Sequence, residues 1–169
     1  MRGPLALVAF AATIPAANWA IGNIGTECIP AGPCLLPVAP GLMAPSGVLL
    51  IGLALVLRDA VHRNLGAAWA FGAVCVGAGL SAFVAAPALA LASAVAFLLS
   101  EAADMAVYTP LARRRLILAV LLSGVAGAVI DSLAFLWLAF GSLDLLAGQV
   151  VGKGWATLAA ATFLSIRRI

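Results

Sequence analysis

The sequence predicts an all-α polytopic membrane protein, a bundle of six transmembrane helices with both termini cytoplasmic, forming one transmembrane domain over residues 1–169. Three observations carry this. Hydrophobic residues make up 65% of the chain and charged residues 9%, with a mean hydropathy of +1.20, outside the range of soluble domains. Six apolar runs approach the length, about 20 residues, that a helix needs to cross a hydrocarbon core of roughly 30 Å. The basic residues, apart from Lys153, all fall on one side of the membrane when the runs are threaded in order.

The runs lie near residues 5–20, 46–57, 67–85, 88–108, 116–140 and 143–166. Backbone groups in lipid must be satisfied within the segment, and the alternation of barrel strands is absent, so these are helices. The second run is the shortest and stops at Arg58. Arg2 precedes the first run, Arg58 and Arg63 stand between the second and third, Arg113 to Arg115 between the fourth and fifth, and Arg167 and Arg168 follow the sixth. The net charge of +3 follows from this one-sided placement and does not call for nucleic acid as a partner. Arg113 to Arg115 read first as a topology anchor in contact with membrane lipid.

A rival reading takes the start as a secretory signal peptide, with small residues near Ala16 and Ala17 and five spans remaining. The outer loop, residues 21–45, holds "CIPAGPC", where a turn rich in Pro and Gly can bring Cys28 and Cys34 into a disulfide. Cys75 reads as a small buried residue of the third run. His62 is the sole histidine, so no zinc-type constellation exists, and neither a metal nor a cofactor is expected.

Ionisable groups in a bilayer core cost roughly 2.5 to 3.5 kcal/mol each by insertion measurements, so the few present are informative. In "SEAADMAVYTPLARRR", Glu101, Asp104 and Tyr108 share one helical stripe that continues back through Phe97 and Ser93. Asp131 in the fifth run is preceded by Ser123 and Gly127 on the same face, and Gln149, Lys153 and Thr157 repeat the pattern in the sixth. The plain structural reading is that Lys153 pairs with Asp131 or Glu101 and ties helices together. Counting Glu101, Asp104 and Asp131 against Lys153 leaves two carboxylates in need of a proton, water or a ligand. Gly72, Gly77, Gly79, Gly124, Gly127, Gly148 and Gly152 supply the small residues through which membrane helices approach.

"GAVCVGAG" lacks the ending of a phosphate loop, and there is no nucleophile elbow and no paired-Asp motif, so an enzyme is not expected. A homodimer is compatible with such a bundle.

"SEAADMAVYTPLARRR", followed by "SGVAGAVIDSLAFLWLAFGSLDLLAGQVVGK", resembles the queuosine-precursor transporter family, also known as VUT, the vitamin uptake transporter family. The matching stretch is about the last 75 residues, with thinner similarity at "RDAVHRNLG" and Asn18. The chain departs from the family pattern by inserting Ala112 and by carrying Arg58 and His62-Arg63. The resemblance implies a six-helix bacterial inner-membrane importer of a nucleobase-like substrate, 7-cyano-7-deazaguanine or 7-aminomethyl-7-deazaguanine. With such a ligand, Glu101 or Asp131 would accept the paired N–H donors of the base edge, and Gln149 or Lys153 would donate to its carbonyl. Phe97, Tyr108, Trp137 or Trp155 would stack on the ring, and Asp104 and Asp59 would serve gating or proton coupling. A second class remains, the substrate-binding subunit of an energy-coupling-factor vitamin transporter, for which Ala12 and Ala16 would form a docking surface.

Overall fold

The computed structural model describes residues 3–30, 32–112 and 115–166, with the side chains of 59, 63, 112, 116–117, 119–121, 157 and 160–166 outside the description. Arg2, Arg113, Arg114, Arg167 and Arg168, on which the orientation depends, therefore lie outside the described residues. Six helices are described: α1 (Gly3–Asn23), α2 (Val48–Leu65), α3 (Ala67–Ser81), α4 (Pro87–Ala112), α5 (Leu116–Phe140) and α6 (Leu146–Ile166). Among the described residues three stretches are long and apolar enough to cross a membrane, Gly3–Asn23, Pro87–Leu111 and Leu122–Phe140, while Ala67–Ser81 is apolar but shorter. The outer surface is apolar as well, with Leu5, Val8, Phe83, Leu91, Val125 and Trp137 all exposed. On a soluble monomer a surface of that kind would aggregate, and in a membrane protein it faces lipid.

Side-chain contacts fix the helix directions. Gly3 packs against Leu65, so α1 and α2 are antiparallel. Gly77 lies on Ala11 and Ile14, and Ser81 on Asn18, so α3 runs with α1. Ser93 meets Asn18 and Phe97 meets Phe10, so α4 runs against α1. Gly127 lies on Ser100 and Asp104 while Ala92 and Ala96 share a core cluster with Phe135 and Leu136, so α5 runs against α4, and the short connection 141–145 turns α6 back against α5, where Lys153 reaches Asp131 and Ser132. Directions thus alternate along the chain, and α1 begins at the end of the bundle where α6 finishes.

Helix α2 continues past Leu57 to Leu65, because "RDAVHRNL" carries good helix formers and no Gly or Pro before Gly66. Arg58 is consequently a helical residue on a bundle helix and not part of a connecting loop. Gly66, at φ +95°, is the whole connection between α2 and α3, and its N–H donates to the His62 carbonyl (3.0 Å). Only glycine takes that backbone readily. Pro87 opens α4, a position where its missing N–H costs nothing. Gly141, at φ +66°, closes α5. A turn in which Ser142 and Asp144 bond each other then delays the start of α6 to Leu146.

The outer loop has the turn expected between its two cysteines, and it also has strands that were not expected. It forms a three-stranded antiparallel sheet, ordered β1 (Glu27–Cys28), β2 (Cys34–Ala39), β3 (Leu42–Pro45), with Cys28 and Cys34 joined by a disulfide. The prolines that disguise the strands occupy tolerated positions: Pro37 at an irregularity in register, Pro45 at a strand end. The β2–β3 hairpin lies on α6 so closely that a Cβ on Gly148 would strike the Met43 carbonyl oxygen, and one on Gly152 would stand 3.0 Å from Val38 and Val48. Of the glycines proposed for helix contact, Gly77, Gly148 and Gly152 make tight seams and Gly127 an ordinary contact, whereas Gly72, Gly79 and Gly124 face open space.

Gly148→Ala is expected to cost about 1–3 kcal/mol through overpacking against the hairpin backbone. Gly72→Ala, in an equally helical but open position, should be neutral or gain up to about 1 kcal/mol. Thermal unfolding of the two variants in detergent checks the contrast.

Candidate functional site

All six helices line a central chamber of about 50 Å³ in the half of the bundle nearer the sheet. Its apolar wall comes from the core stripes: Phe10 and Ile14 of α1, Ile51 and Leu55 of α2, Phe97 of α4 and Phe135 of α5. Phe10 and Phe97 approach with ring centroids 6.0 Å apart and form the floor toward the end of the bundle where α1 begins. The chamber's volume is enough for ordered water. It falls far below the roughly 300–1,000 Å³ of a site holding a drug-sized ligand, so a bicyclic solute enters only if the helices part.

Two polar systems face this space. On one side the Lys153 ammonium donates to Asp131 Oδ2 (2.5 Å) and to Ser132 Oγ (2.8 Å), and Ser132 in turn donates to the Ala128 carbonyl (2.8 Å). Lys153 is 2% exposed, so its charge is held inside the bundle and must be matched there. On the other side Asn18 joins three helices, donating through Nδ2 to Ser81 (3.0 Å) and accepting through Oδ1 from Ser93 (2.7 Å). Between them stands Gln149, 3% exposed, whose Oε1 is buried without a hydrogen-bond partner. A buried amide oxygen left unpaired costs on the order of 1–3 kcal/mol, and a ligand N–H placed in the chamber would recover it.

One turn beyond the floor, Glu101 forms an ion pair with Arg58 of α2. The spacing of Ile51, Leu55 and Arg58 along one helical face brings the guanidinium to that level. This revises the charge count drawn from the sequence. Among the described residues Glu101 and Asp131 each have a cationic partner and Asp104 is the one left over from the three carboxylates, lying against Gly127 of α5 (3.6 Å from a Cβ there).

The predicted site residues therefore separate into levels. Asp131, Gln149 and Lys153 line the chamber, Glu101 lies beneath its floor, and Asp104 and the exposed Tyr108 continue the stripe away from it. The side chain of Asp59 is outside the described residues. Of the four aromatics considered for stacking, Phe97 lines the chamber, whereas Trp137 and Trp155 point outward at 62% and 59% exposure. Phe10, Ser81 and Ser132 contribute without having been singled out. Ser132 could have been found as the hydroxyl beside Asp131; Phe10 and Ser81 carry no local signal in an apolar run. Among the described residues no group of three or more His, Cys, Asp or Glu is placed to hold a metal ion.

Breaking the buried pair on one side should be costly. Asp131→Asn or Lys153→Met is expected to lose about 3–5 kcal/mol, and the double variant to recover most of it, as uncharged replacements of buried pairs do. Melting of the three variants in detergent, analysed as a double-mutant cycle, gives the coupling.

A family model described as "Putative vitamin uptake transporter" matches residues 80–166. That span takes in α4, α5 and α6, and with them Ser93, Phe97, Asp131, Gln149 and Lys153 of the chamber. Comparisons with curated proteins and with solved structures found no match.

Proposed function

Because the chain belongs to the vitamin uptake transporter family, we propose that it carries a small, planar, nucleobase-like solute across the bacterial inner membrane through the central chamber. The observation that carries this reading is the chamber itself: a buried ion pair, an unpartnered amide oxygen and phenylalanine walls, all within an apolar bundle. A structural bundle gains nothing from leaving Gln149 Oε1 unpaired.

The proposed substrates are 7-cyano-7-deazaguanine and 7-aminomethyl-7-deazaguanine. Their adjacent N–H donors suit the carboxylate of Asp131, whose Oδ2 accepts from Lys153, and the unpartnered Oε1 of Gln149. Between the two carboxylates considered for the base edge, Asp131 is the better placed, since Phe97 stands between Glu101 and the chamber. Glu101 with Arg58, together with the Phe10–Phe97 floor, then forms the barrier on the side away from the sheet. Asp104 is assigned to gating or proton coupling, with Asp59. Transport alternates access by parting the barrier on one side and the sheet end on the other.

Six spans with both termini cytoplasmic are part of this proposal, supported by the alternating helix directions, the apolar exterior and the one-sided basic residues. Reporter fusions at the two ends should both give the cytoplasmic signal; a split result would match the five-span reading.

Uptake of the labelled bases by cells unable to make them is the direct test. Wild type should accumulate label, Asp131→Asn should lose at least about tenfold, and Glu101→Gln should transport poorly or leak. Full uptake by both variants would remove these assignments, and no uptake by wild type would remove the substrate.

A second reading, the substrate-binding subunit of an energy-coupling-factor transporter, draws on Ala12 and Ala16 lying exposed together on α1. It predicts co-purification with an ATPase.

A further inference from the structure

We propose that the chamber selects ligands with no net charge, and that the Asp131–Lys153 pair sets this selection; the inference rests on the uptake function proposed above. Among the described residues that line the chamber, Asp131 and Lys153 are the ionisable ones, and they neutralise each other at 2.5 Å. A ligand bearing an ammonium would arrive beside the Lys153 ammonium with the one lining carboxylate already engaged. A ligand bearing a carboxylate or phosphate would find the one lining cation engaged by both Asp131 and Ser132.

The next described carboxylate, Glu101, is paired with Arg58 and separated from the chamber by Phe97. Asp104 lies farther along the same helix, against α5. Neither can reach a charge held between Asp131 and Gln149. An unmatched charge in so apolar a space is expensive, which makes neutrality a filter of the same weight as shape.

Among the described residues that line the chamber, the buried polar atom left without a hydrogen-bond partner is an acceptor, Gln149 Oε1, since Asn18 and Ser93 already satisfy each other. The ligand class is therefore an uncharged ring that offers N–H donors. The two bases differ on this point. The cyano substituent is neutral, whereas an aminomethyl group has a pKa near that of a lysine side chain, roughly 10, and is a cation at neutral pH.

The test is competitive uptake of the two labelled bases by cells that make neither, with the amount of protein in the membrane measured for each variant. Wild type is expected to favour the cyano base by on the order of tenfold or more. Lys153→Met, which frees the Asp131 carboxylate, should shift the ratio toward the aminomethyl base by a similar factor. The double variant Asp131→Asn with Lys153→Met should keep the wild-type preference at a reduced rate, because its chamber is again neutral.

Equal uptake of both bases by wild type, or a preference for the aminomethyl base, overturns the charge selection and leaves the uptake function standing. An unchanged ratio in Lys153→Met present at wild-type amounts also overturns it. Uptake of neither base by wild type overturns both. If Lys153→Met fails to accumulate, the wild-type ratio and the double variant decide.

Discussion

An ammonium sealed inside an apolar bundle has to be neutralised where it stands, and Lys153 imposes that condition on the rest of the protein. Its charge fixes the rotation of α6, because the side chain must point at Asp131, and it fixes the register of α5 against α6 through Ser132. Gln149, one turn earlier on the same face, is then carried into the chamber, and Gly148 and Gly152 are carried to the adjacent face beneath the hairpin. A single helix thus shows its polar face to the centre and its bare backbone to the sheet. The sheet can lie so close because α6 itself presents no side chain at Gly148 and Gly152.

The same requirement recurs at a second level. Arg58 and Glu101 meet below the phenylalanine floor, so among the described residues two neutral pairs stand on either side of an aromatic layer. Each pair bridges two helices, α5 to α6 and α2 to α4. Pairs of this kind contribute little net stability compared with well-packed apolar residues. Their value lies in specifying which faces meet, in a sequence where Ala, Leu and Val would pack acceptably in several registers.

What was legible in the sequence follows from which signals composition preserves. Apolar runs and deep charges stand out against an Ala- and Leu-rich background, so the helical membrane class and the pairing of Lys153 with Asp131 could be read directly. Charged stretches were misleading. Arg58 looked like a loop residue because it ended an apolar run, although nothing in "RDAVHRNL" breaks a helix, and the partner of Glu101 was missed for that reason. The sheet was hidden by its prolines, which argue against strands unless their bulge and end positions are known. Phe10 in the chamber wall and Ser81 behind Asn18 owe their role to tertiary placement alone, and no periodicity distinguishes them from their neighbours.

The hairpin lying on Gly148 and Gly152 has a mechanical consequence. At Gly148 main chain lies against main chain, at Gly152 only the short branched side chains of Val38 and Val48 intervene, and the Cys28–Cys34 link stiffens the strand that bears on α6. The sheet, the first turns of α6 and the start of α2 at Val48 therefore behave as one plate. Any rocking of α6 sweeps that plate with it like the cover on a hinged box, so the chamber's outer wall and its lysine travel together.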